Sequence, residues 1–138
     1  MLTVDTPIKA QFYDLDPMQV VWHGNYVRFL EQARCSLLDH IGFNYPEMAR
    51  TKYVWPIVDM RIKYVRPIRF GQDVIVAATL CEYENRLKID YRIRDAASGD
   101  VLTKAQTIQV AVDGETGELC FESPAEMIDK VRECLCLS

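Results

Sequence analysis

Asn25-Tyr26-Val27-Arg28-Phe29-Leu30-Glu31-Gln32-Ala33-Arg34-Cys35-Ser36-Leu37-Leu38-Asp39-His40-Ile41-Gly42 carries its apolar residues at Tyr26, Phe29, Leu30, Ala33, Leu37 and Ile41. That spacing is one stripe of an amphipathic helix. Asn25 is the expected cap at its start, and Gly42 the expected stop. About 17 residues at ~1.5 Å each make a rod of roughly 25 Å, long enough to cross the face of a sheet.

Downstream of Thr51 the period changes to two. Val58, Met60, Ile62 and Tyr64 alternate with Asp59, Arg61 and Lys63, and Leu87, Ile89, Tyr91 and Ile93 alternate with Lys88, Asp90, Arg92 and Arg94. Ile108, Val110 and Val112 extend the pattern at the end of the last long strand. Each run predicts a strand with one buried and one wet face, as in an antiparallel sheet. Arg66-Pro67 and Phe70-Gly71-Gln72-Asp73 separate strands, Glu84-Asn85 reads as a tight hairpin turn, and Ala97-Ser98-Gly99-Asp100 as another. Pro124 opens a short terminal helix with Met127, Ile128, Val131 and Leu135 on one side. One helix buries itself against about five strands only if the sheet curves around it. The expected class is α+β, one domain over residues 1–138.

Upstream, residues 12–34 hold the chemistry. A strand ends in Asp14-Leu15-Asp16-Pro17, a short loop follows, and the helix begins. A helix N-terminus presents free N–H groups and partial positive charge, which can polarise a carbonyl and hold the oxyanion formed when it is attacked. A carboxylate beside it can attack directly or take a proton from water. Read from the residues alone, Asp14 and Asp16 serve equally well as loop acids making turn and cap hydrogen bonds.

The pattern Tyr13-Asp14-x-Asp16-x-x-x-Val20-Val21-Trp22-His23-x-Asn25-Tyr26-x-x-Phe29-x-Glu31-x-Ala33-Arg34 resembles the signature of the 4-hydroxybenzoyl-CoA thioesterase family. It is most similar to the acyl-CoA thioesterase branch associated with the Tol–Pal gene cluster. Tyr64-Val65-Arg66-Pro67-Ile68-Arg69-Phe70-Gly71-Gln72-Asp73 extends the resemblance, which covers about residues 5–115. It implies the hotdog fold, a curved antiparallel sheet wrapped around a long central helix. It also implies an acyl-CoA thioesterase, working as a homodimer or homotetramer with sites at subunit interfaces.

By the same resemblance, Asp16 is the catalytic carboxylate, as nucleophile or general base. The N–H receiving the thioester carbonyl falls at or near His23, whose side chain is a candidate to assist. Trp22 and Tyr26 are expected to pack with an edge on the acyl pocket. Glu31 either anchors the loop or orients water, and Asp14 is expected to shape the turn. Arg86 and Lys88, facing away from Leu87 and Ile89, are candidate contacts for the CoA phosphates, ahead of Arg66 and Arg69. No metal or cofactor is expected, because the helix terminus supplies the electrophilic help. The family carries small residues where this chain has Met18-Gln19, a departure that bears on acyl preference. A non-catalytic acyl-CoA-binding module is the alternative reading; Asp16 speaks against it, since binding alone needs no acid beside a carbonyl.

Composition sets the outer limits. The 138 residues are 49% hydrophobic and 26% charged, the balance of a globular chain. Sixteen basic against twenty acidic residues give a net charge of −4, which argues against a nucleic-acid partner. Eight of the basic residues nevertheless lie between positions 61 and 94, where an anionic ligand is one explanation and a solvated face the other. The longest apolar run, Val74-Ile75-Val76-Ala77-Ala78, is far short of the roughly 20 residues of a membrane span. Residues 1–7 have neither the basic start nor the apolar stretch of a signal peptide. Five cysteines without a Cys-x-x-Cys pair point to reduced thiols and a cytoplasmic setting.

Overall fold

The computed structural model describes residues 2–137. Strand β1 (Thr3–Lys9) leads through two single-turn 3₁₀ helices (Phe12–Asp14 and His23–Asn25) into α1 (Tyr26–Ile41). A one-turn helix α2 (Tyr45–Met48) and a short strand β2 (Tyr53–Val54) follow. Then come β3 (Ile57–Tyr64), β4 (Asp73–Glu82), β5 (Leu87–Asp95), β6 (Val101–Gln109), the short β7 (Val112–Asp113) and α3 (Ala125–Leu137). Five strands form one antiparallel sheet in the order β1-β4-β5-β6-β3, while β2 pairs with β7. No helix among the described residues is long and apolar enough to cross a membrane.

The helical stripe is the core. Phe29, Leu30, Ala33, Leu37 and Leu38 of α1 are buried against Val74, Val76, Ala78 and Leu80 of β4 and Leu87, Ile89, Tyr91 and Ile93 of β5. α1 ends at Gly42, whose left-handed backbone (φ 86°) lets its N–H and that of Phe43 turn back to the Leu38 carbonyl. Its start differs from expectation. Asn25 is itself helical, and its side chain donates to the Asp14 carbonyl at 2.9 Å instead of accepting from the first turn. The chain enters α1 through the His23–Asn25 turn, so the free N–H end of the helix moves upstream to His23.

Three other expectations change. β6 ends at Gln109, so Val110 and Val112 do not continue its alternation; Val112 pairs with Val54 instead. The residues of β6 opposite Leu87, Ile89, Tyr91 and Ile93 are Gln109, Thr107, Ala105 and Thr103, so its core-facing row is polar apart from Ala105, and Ile108 lies on the other face. The hairpin at Glu84-Asn85 is a longer connection, Tyr83–Arg86, which follows a register shift between Leu80 and Glu82 near the end of β4. Finally, Met60 and Ile62 of β3 are only half-buried and Tyr64 is 46% exposed. α1 runs over β1 and β4, at the opposite side of the sheet, and β3 is an open edge.

Candidate active site

Asp16 sits at the tip of a small hairpin. Its carbonyl accepts from Gln19 N–H and its own N–H donates to the Val20 carbonyl, both at 2.9 Å, closing a turn over Pro17 and Met18. Gln19 takes a left-handed backbone, φ 65°, as the residue after such a turn must. One carboxylate oxygen, Oδ1, accepts from Met18 N–H at 2.8 Å. Among the described residues the other receives no hydrogen bond.

Asp14 is different. It is buried, its Oδ2 accepts from Gln11 N–H at 2.8 Å, and its carbonyl accepts from Trp22 N–H and from the Asn25 side chain. Both its acid and its carbonyl hold the loop against the helix entrance. Val21 N–H donates to the Ile68 carbonyl at 2.7 Å, tying the same loop to the segment after β3.

A cavity of about 270 Å³ opens at this junction, lined by Asp16, Met18, Val20, Val21, His23, Tyr26 and the Tyr64–Pro67 segment. Burial pushes the Tyr26 phenol up from its usual pKa; a hydrogen bond with the Ile68 backbone opposes this, and Tyr64 and Asp16 add to it. Its ring meets that of Tyr64 edge-on, centroids 4.7 Å apart at 81°. The Tyr64 hydroxyl donates to the His23 carbonyl at 2.9 Å. The N–H groups of His23 and Gly24 have no acceptor among the described residues. Asp16, with one carboxylate oxygen free, and His23, which opens the helix-entrance turn with its uncommitted N–H groups, thus line one cavity, the kind of pairing that carbonyl attack needs.

The expected residues divide. Asp16, His23 and Tyr26 come together. Trp22 is half-exposed and outside this wall; its indole folds over Gly24 so closely that a Cβ there would sit 2.4 Å from the ring. Glu31 also lies outside, in an ion pair with the buried Arg34, which further donates to the Tyr45 hydroxyl at 2.8 Å. Arg86 pairs with Glu82 at 2.9 Å, and Lys88 lies beside Ile108, toward the far end of β5. Neither reaches Asp16 within one chain. Arg66, ranked below them on sequence, does line the cavity, while pairing with Asp100 at 3.3 Å. Tyr64 is the residue that sequence reasoning missed: it sits in the extended resemblance but reads there as a packing position of β3.

Comparisons with known proteins identify the fold and the family. YneP of Bacillus subtilis (strain 168) is 29% identical over 110 residues, 79% of either chain. The acyl-CoA thioester hydrolase YbgC of Escherichia coli O157:H7 is 23% identical over 107 residues, 78% of this chain and 80% of that one. Among solved structures, a DHNA-CoA thioesterase from Staphylococcus aureus superposes with a TM-score of 0.84 at 24% identity, covering 99% of this chain and 91% of the other. A 4-hydroxybenzoyl-CoA thioesterase complexed with 4-hydroxybenzoyl-CoA gives 0.80 at 20% identity, covering 94% and 98%. These likenesses establish the hotdog fold. The family model described as the thioesterase-like superfamily matches residues 10–135, and the chain belongs to that superfamily.

Proposed function

We propose that the chain hydrolyses acyl-CoA thioesters at Asp16. The observation that carries this reading is the carboxylate of Asp16, with one oxygen free, in one cavity with His23, which opens the turn whose His23 and Gly24 N–H groups are uncommitted. The carboxylate attacks the thioester carbonyl carbon, or takes a proton from the water that does. The carbonyl oxygen gains the negative charge and is held by the turn's N–H groups. The C–S bond then breaks and the thiolate takes up a proton to leave as CoA. Where water attacked, the carboxylic acid leaves directly; where Asp16 attacked, water hydrolyses the acyl anhydride left on its carboxylate, releasing the acid and restoring Asp16. The acyl-CoA thioester hydrolase named among the relatives supports this substrate class for the present chain. Met18, on the cavity wall and 76% exposed, is the residue here placed to set acyl preference.

Thiol release across short, long and aromatic acyl-CoAs tests the reading. Asp16→Asn is expected to lower kcat by at least ~10²-fold with CoA binding retained. Asp14→Asn is expected to cost about 1–2 kcal/mol of stability through its Gln11 hydrogen bond, with a far smaller loss of kcat. Near-normal turnover by Asp16→Asn would sink the assignment; CoA binding without hydrolysis by the unaltered chain would favour a binding module.

A further inference from the structure

Tyr64 closes β3, and its hydroxyl crosses 41 positions of chain to donate to the His23 carbonyl. That carbonyl belongs to the 3₁₀ turn His23–Asn25, the entrance of α1. In a helical turn the C=O groups point one way along the axis and the N–H groups the other. Holding the His23 carbonyl therefore fixes the direction of the Gly24 N–H, which shares its planar peptide unit, while the His23 N–H shares a peptide with the Trp22 carbonyl, held by the Asn25 N–H at 2.8 Å.

We infer that Tyr64 is a positioning residue of the thioesterase site, whose hydroxyl, through the His23 carbonyl, aims the Gly24 N–H at the developing oxyanion; this rests on the function proposed above.

The surroundings support the assignment. No capping side chain steadies the His23–Asn25 turn, since Trp22 at its N-cap makes no side-chain bond. Gly24 in its middle has no Cβ to restrict the backbone. The turn is held from outside at its two ends, by the Asn25 side chain on the Asp14 carbonyl and by the Tyr64 hydroxyl on the His23 carbonyl, and the second of these acts on the peptide that carries the Gly24 N–H. The ring is held in its turn by the edge-on contact with Tyr26, whose side chain is buried in the core. Tyr26 is thereby committed to the scaffold and Tyr64 to the turn. Burial raises the Tyr64 phenol above its usual pKa, so the donating proton stays in place through neutral pH. Oxyanion donors act by being aimed before the reaction begins, and a donor removed outright costs ~10²–10³-fold in kcat. A donor that remains but is less well aimed should cost less, about tenfold.

Tyr64→Phe separates this role from packing, because it keeps the ring on Tyr26 and removes only the hydroxyl. The expected result is a fall in kcat of about tenfold with KM changed less than about threefold, the pattern of an interaction made in the transition state. The amide ¹H and ¹⁵N resonances of Gly24 are expected to shift in the same variant without substrate, and the unfolding midpoint to stay close to that of the unaltered chain. Unchanged kcat, with or without a shifted amide, overturns the proposal. So does a loss carried in KM, or an unmoved amide beside a fall in kcat. If the unaltered chain hydrolyses no thioester, the proposed function falls and this inference falls with it, whereas an active parent with an unaffected Tyr64→Phe variant removes the inference alone.

Discussion

Two acids separated by one leucine do opposite work because their backbones differ. Asp14 ends a 3₁₀ turn that folds its side chain back to Gln11, whereas Asp16 starts a hairpin turn that leaves one oxygen free. Nothing in the spelling Asp-Leu-Asp separates them; the long-range bonds from Trp22, Asn25 and Val21 do. The departure at Met18-Gln19 acquires a physical meaning at the same scale. Gln19 holds φ 65°, a conformation costing a non-glycine residue roughly 1–2 kcal/mol. Gln19→Gly removes that strain but adds freedom to the unfolded chain, so a net gain of about 0.5–1 kcal/mol is expected from denaturant unfolding. Loss of stability would mean that the Gln19 side chain makes contacts outweighing its strain. The glycine should also loosen the loop bearing Asp16, so kcat is expected to fall or stay level, not rise.

Elements were legible where charge and apolarity alternate. β5 declares itself because Lys88, Asp90, Arg92 and Arg94 mark its wet face against Leu87, Ile89, Tyr91 and Ile93. β6 hides its core row because Thr103, Thr107 and Gln109 do not look apolar. They are buried with partners in two cases: the Thr107 hydroxyl meets the Tyr91 phenol at 2.8 Å, and Gln109 donates to the Trp55 carbonyl at 2.8 Å. α1 was legible by its stripe, but not its entrance, since the 3₁₀ turn and the Asn25–Asp14 bond depend on a loop folding back eleven residues. The β5–β6 pair also predicts a pH dependence. Burial pushes the Tyr91 phenol up to about 12, against a partial opposing effect of its Thr107 hydrogen bond. Below pH 10 the proton is bound in folded and unfolded chains alike. Between pH 10 and about 12 the unfolded chain releases a proton that the folded chain keeps, so stability falls as pH rises. The loss expected from this one group is roughly 2–3 kcal/mol. Tyr91→Phe is expected to flatten that part of the stability–pH curve relative to the parent; parallel curves would show that Tyr91 titrates normally.

At the scale of the whole molecule, the two edges of the sheet are unequal. β1 carries Pro7, which cannot donate to a further strand, and the charged Lys9. β3 runs from Asp59 to Tyr64 in regular register without a proline, and its inward-facing Met60 and Ile62 are only half covered. We propose that a second copy pairs along this edge; symmetric pairing of β3 with β3 is antiparallel. The arrangement bears on Arg86 and Lys88. Within one chain, Tyr64 is level with Thr103 and Ile93, whereas Lys88 lies five residues further along β5, roughly 17 Å away at strand spacing. Antiparallel pairing sets the Ile57 end of a second β3 beside Tyr64, and Leu87 and Lys88 of that copy are level with its own Ile57–Asp59 end. In such a dimer the two basic residues of one copy are expected on the side of the Asp16 cavity of the other. Arg86→Ala with Lys88→Ala is therefore expected to raise KM for acyl-CoA more than it lowers kcat, and to leave a short thioester without the nucleotide unaffected. Mixing that chain with an Asp16→Asn chain gives hybrid dimers in which one site has an intact Asp16 facing an intact Arg86 and Lys88. After random reassembly about one site in four should be complete, so low-KM activity should appear in the mixture that neither parent shows. A mixture whose kinetics are only the average of its parents, or a fully active monomer in light scattering at assay concentration, would put both halves of the site on one chain.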